Sequence, residues 1–71
     1  AQRLFIKVAK KNAAQMRSII SVLSRYAGEN TVIVYVESNK QKLPMKRGVD
    51  ISPALLRELK DMLGDENVAV A

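Results

Sequence analysis

The sequence predicts an α+β fold in the order β-α-β-β-α-β, a two-layer sandwich with two helices on one face of an antiparallel sheet. Three observations carry this. Residues 3–9 (RLFIKVA) alternate along the chain and residues 31–37 (TVIVYVE) are rich in β-branched side chains, both marks of strands. Two other segments repeat apolar residues at the helical period, each with a capping residue before it and a glycine after it. The whole fits into 71 residues, which allows one small domain, 1–71. This is the split βαβ, or ferredoxin-like, arrangement.

In the first strand Leu4, Ile6 and Val8 face one way and Arg3, Phe5 and Lys7 the other, because successive side chains alternate across a sheet. Lys10, Lys11 and Asn12 break the pattern, and Asn12 is the cap for the helix that follows. Over residues 13–27, Met16, Ile19, Ile20, Leu23 and Tyr26/Ala27 fall on one stripe, with Arg17 and Arg25 on the solvated side. Gly28 reads as the left-handed residue just past that helix. Strand 31–37 follows, then a polar turn at 38–40 and a return arm at 41–45 (QKLPM). Pro44 cannot donate to a ladder, so this arm either begins beyond Pro44 or lies at a sheet edge. Ser52 caps the second helix and Pro53 opens it. Leu55, Leu56, Leu59, Met62 and Leu63 form its buried stripe, while Arg57, Glu58, Lys60 and Asp61 face water. Gly64 stops it, and residues 68–70 make the last strand.

Charge is distributed unevenly. Arg3, Lys7, Lys10, Lys11, Arg17 and Arg25 are the only charged residues among the first 28; six basic and seven acidic residues follow, and the net charge is +5. A basic half points to a polyanion or an acidic protein surface as partner. With no Cys and no His, disulfides, imidazole acid–base chemistry and ordinary zinc sites are excluded. The serines at 18, 21 and 24 have no base to activate them. No cofactor, metal, catalytic residue or small-molecule substrate is expected, and no apolar run is long enough to span a membrane. A ligand-binding regulatory domain of the ACT type shares the element order, but KKNA stands where its glycine turn belongs.

With Leu4, Ile6 and Val8 under the helices, Phe5 lies on the open face between Arg3 and Lys7, joined by Ile33 and Tyr35. An apolar patch rimmed with cations fits protein docking, to another protein or to neighbouring domains of a parent chain. Lys10 and Lys11 at a helix start are candidates for phosphate contact. Lys40, Lys42, Lys46 and Arg47 form a second basic stretch. Phe5 and Tyr35 alone are a weak platform for stacking bases, which disfavours base-specific RNA reading. The candidate binding residues are Arg3, Phe5, Lys7, Lys10, Lys11, Tyr35, Lys46 and Arg47.

Three stretches, RLFIKV, YAGENTVIVYVE and VDISPALLRELKDMLGDENVAV, together resemble the C-terminal region of the alpha subunit of bacterial DNA polymerase III, over nearly the whole chain. The chain opens at Ala1 without Met and on a strand almost at once, and the absence of Cys fits the cytosol, so a cytoplasmic piece excised from a longer chain is expected; the resemblance implies that this piece comes from the C-terminus of a DNA-directed DNA polymerase whose active site lies far upstream. It implies a non-catalytic docking module that tethers the polymerase to replisome partners, the clamp-loader tau subunit first among them. The alternative is a module that binds single-stranded DNA or RNA through its basic surface.

Overall fold

The computed structural model describes residues 2–71; Ala1, the first residue of the expected domain, lies outside them. The elements are β1 (Arg3–Val8), α1 (Ala13–Ser24), β2 (Ala27–Val36), β3 (Gln41–Pro44), α2 (Pro53–Leu63) and β4 (Val68–Val70), with a 3₁₀ turn at Asp65–Asn67. The expected order and the two-layer sandwich are both present. The Cα radius of gyration is 10.9 Å, close to the roughly 11 Å of a folded chain of this length.

The sheet order is β3-β2-β1-β4, and the sheet is mixed. β1 pairs with β4 and β2 with β3 antiparallel, but the central pair β1–β2 is parallel. This corrects the expectation of an all-antiparallel sheet. The cause is α1, which carries the chain back across the sheet and lays β2 beside β1 in the same direction. β3 then takes the outer edge of β2, which settles the position of Pro44. The Met45 N–H donates to the Val32 carbonyl at 2.8 Å. Since ladder bonds alternate, the Pro44 nitrogen points to solvent, where its missing hydrogen costs nothing. At the other edge Arg3 and Ala71 exchange both backbone hydrogen bonds, at 2.8 and 2.9 Å.

One face of the sheet holds the core. Leu4, Ile6 and Val8 of β1 and Val32, Val34 and Val36 of β2 are buried, as their alternation predicts. Ile19, Val22 and Leu23 of α1 and Leu55 and Leu59 of α2 cover them. Both helix caps form: the Gln15 N–H donates to the Asn12 side chain at 3.1 Å and the Leu55 N–H to the Ser52 hydroxyl at 3.2 Å. Gly64 ends α2, as expected, with φ 97°, a positive value that glycine adopts readily.

Three expectations need correction. Ile20 is 50% exposed and Val22 buried, because at 100° per residue Ile20 lies about a quarter-turn from the centre of the Ile19–Val22–Leu23 stripe. Met62 is likewise 38% exposed, in the last turn of α2. Gly28 is not a helix stop. α1 ends at Ser24, β2 starts at Ala27, and Gly28 lies inside that strand with ordinary φ. Its role is close approach: a Cβ there would stand 2.4 Å from the Asp50 nitrogen and 2.6 Å from the Val49 carbonyl carbon. The segment around Val49 crosses β2 at that point. Gly28 N–H donates to Gly48 C=O at 3.2 Å and Asp50 N–H to Tyr26 C=O at 2.7 Å.

Candidate docking surface on the open sheet face

Both helices pack on one side, so among the described residues the other side of the sheet is left uncovered. The strand registers define what it presents. Phe5 is opposite Ile33 on one side and Ala69 on the other, and Ile33 is opposite Pro44. These four side chains form an apolar row across all four strands, roughly 14 Å long at ordinary strand spacing. The next row is Lys7, Tyr35 and Lys42. On the other flank stand Arg3 and Thr31. Phe5, Ile33, Tyr35 and Lys7 are half-buried, while Arg3, Lys42, Pro44 and Ala69 are exposed. An apolar middle with charged margins is the pattern of a binding interface.

Of the residues singled out in the sequence, Arg3, Phe5, Lys7 and Tyr35 thus come together. Lys42 joins them; the signal that finds it is the hairpin register, which sets it opposite Tyr35. Lys7 reaches Glu37 at 3.6 Å, and water reaches both side chains, so the pair contributes little to stability. Lys10 and Lys11 lie just past one end of this face. Glu37 N–H donates to Val8 C=O and Ser38 N–H to Ala9 C=O, each at 2.9 Å. Those bonds hold the β1–α1 loop beside the β2–β3 turn, so Lys10 and Lys11 share one end of the molecule with Lys7, Lys40 and Lys42. Glu37 is the acidic residue on those segments. The N-terminus of α1 opens there with no acidic residue in its first turn, which adds partial positive charge.

Lys46 and Arg47 do not join this face. Met45 turns in against the core, and the chain then passes round the sheet edge to the helix layer. There Lys46 and Arg47 flank Ile20 and Leu23 of α1.

The helical pattern sets Glu58 toward water and Arg25 on a solvated side, free of partners. Instead Glu58 accepts hydrogen bonds from the Tyr26 hydroxyl at 2.5 Å and from the Arg25 guanidinium at 2.7 Å. The hydrogen bond from Tyr26, helped by Arg25, holds the Glu58 carboxyl below its ordinary range despite partial burial. The same bond, with partial burial, raises the Tyr26 hydroxyl. A lowered carboxyl stabilises the fold above its unfolded pKa and loses that contribution as pH falls through the folded value; a raised hydroxyl does so below its unfolded pKa, losing it as pH rises. The melting temperature of Tyr26→Phe should therefore trail the parent near neutral pH, with the gap closing toward acid and toward alkali. Melting curves across pH check this. A gap unchanged through both limbs would show that ionisation of the pair has no bearing on stability.

The architecture and this surface define the class: a small α+β module with one bare, partly apolar and basic sheet face. Over an alignment of 75 residues, taking in 99% of the chain, it is 31% identical to a segment of the DNA polymerase III subunit alpha of Halalkalibacterium halodurans. This bears out the resemblance read from the sequence, and is consistent with one domain of such a subunit. The chain spans 7% of that relative's length. No protein-family model matches the chain, and no solved structure does. Among the described residues, no helix is long and apolar enough to cross a membrane.

Proposed function

We propose that this chain is a non-catalytic docking module of a replicative DNA polymerase, tethering it to a replisome protein in the cytoplasm. The observation that carries the reading is the row Pro44–Ile33–Phe5–Ala69 with its cationic flanks. Such a row in solution exposes an aromatic anchor to water unless a partner covers it. The similarity to an alpha-subunit segment makes the clamp-loader tau subunit the first partner to test, and neighbouring domains of a parent polymerase the second.

One observation favours a different reading, a module for single-stranded DNA or RNA: the five lysines 7, 10, 11, 40 and 42 at one end of the sheet. Fluorescence anisotropy with labelled tau and labelled single-stranded DNA, each at about 50 and about 200 mM salt, separates the two. Five neutralised phosphates on a single strand would weaken DNA binding by roughly a hundredfold between those conditions. Docking through the apolar row should change much less, by under about tenfold. Tau binding with weak salt dependence is the expected result. Failure of tau to bind, with tight and salt-sensitive DNA binding, would replace the first reading by the second.

A further inference from the structure

We propose a second interaction site, on the helix side of the molecule: a groove between α1 and the segment after β3 that takes an acidic peptide of a partner protein, anchored by one bulky apolar side chain. Its volume is about 220 Å³. That is below the several hundred Å³ of a small-molecule or cofactor pocket and suits a single large side chain. Ile20 and Leu23 form one wall, Met45 and Val49 the other. Ile20, which its place on α1 leaves exposed, borders this groove.

The groove is held open by fixed backbone. Gly48 and Ala27 contribute almost no side-chain bulk to its lining, and a Cβ on Gly48 would stand 2.6 Å from the Gly28 carbonyl oxygen. Val49 is 1% exposed and its carbonyl accepts from the Asn30 amide at 3.1 Å. Such a wall does not have to be ordered on binding, which favours affinity. Charge names the occupant. Lys46 and Arg47 stand exposed at the rim, and no acidic side chain lines the groove. A nucleic acid would satisfy those two cations but leave the apolar walls facing sugar and phosphate. A peptide with carboxylates beside a Leu or Phe satisfies both.

The site is distinct from the open sheet face and does not rest on the docking proposed there. The test is an NMR titration of the isotope-labelled 71-residue chain with a blocked decapeptide carrying a central Leu-Phe pair among Asp and Glu. One control peptide has Asn and Gln for the acids, another Ser-Ser for Leu-Phe. Saturable shifts of the Ser24, Gly48 and Val49 amides are expected, with both controls weaker. Ile20→Ser should weaken binding about fivefold, and the double change Lys46→Glu with Arg47→Glu about tenfold or more. Phe5→Thr should leave it unchanged; the amide spectrum of each variant reports that it is folded. Absence of saturable shifts at millimolar peptide, shifts confined to the sheet face, or equal binding of the neutral peptide would each overturn the proposal.

Discussion

Gly28→Ala will destabilise this protein by about 1–3 kcal/mol. The opposite sign is the ordinary expectation. Where φ is not left-handed, replacing Gly by Ala narrows the unfolded ensemble and gains about 0.4–1 kcal/mol, and Gly28 has ordinary φ. The local geometry reverses it. The added Cβ meets three backbone atoms, the Asp50 nitrogen at 2.4 Å, the Val49 carbonyl carbon at 2.6 Å and Asp50 Cα at 2.7 Å. Backbone cannot rotate away as a side-chain tip can, so the Val49 segment must move off β2. That strains the Asp50 to Tyr26 and Gly28 to Gly48 hydrogen bonds and loosens Val49 in the core. A chain of this size holds only about 4–11 kcal/mol in total, so the urea midpoint should fall by a large fraction at unchanged slope. A variant as stable as the parent would mean that the crossing is soft and that glycine is not required there.

Phe5→Thr will weaken binding to the protein partner by about thirtyfold or more, the effect of removing a central aromatic anchor worth at least about 2 kcal/mol. Threonine keeps strand propensity. What the fold loses is the contact of Phe5 with Ile33 and Ala69 across the sheet, typically about 0.2–1 kcal/mol per pair. The binding effect is thus separable from folding, and a titration of tau against the folded variant measures it. The charge reversals Lys10→Glu and Lys11→Glu are the counterpart, since they lie beyond the apolar row. They should halt salt-sensitive DNA binding if it exists and scarcely touch tau. Unchanged tau affinity in Phe5→Thr would remove the apolar row from the docking argument.

Period-2 alternation makes the inner and outer faces of β1 and β2 legible in the sequence, because in a strand facing is decided by neighbours along the chain. Alternation alone therefore sets Phe5, Arg3, Lys7 and Tyr35 on one face. Strand order is not legible in this way, since pairing is decided by where α1 returns the chain, not by the strands' own residues. Gly28 stands out in the sequence, but its reason does not. Left-handed φ and close backbone approach both demand the absence of a Cβ, and a sequence does not distinguish them. The Tyr26–Glu58 bond joins residues 32 apart and depends on how α2 seats against the start of β2. Lys46 and Arg47 look like Lys10 and Lys11 in composition. Their separation arises only because Met45 folds inward and takes the chain round the sheet edge.

The paired hydrogen bonds between Arg3 and Ala71 give the molecule a direction. Polypeptide enters along a central strand and leaves along the neighbouring edge strand at the same spot. A longer chain interrupted by this unit would therefore be rejoined almost where it was cut, with little lateral offset for the host to absorb. The opposite pole of β1, roughly 17 Å away, is where Lys10 and Lys11 project beside the Lys40 turn. The lysine end and the paired chain ends thus occupy opposite poles of the sheet.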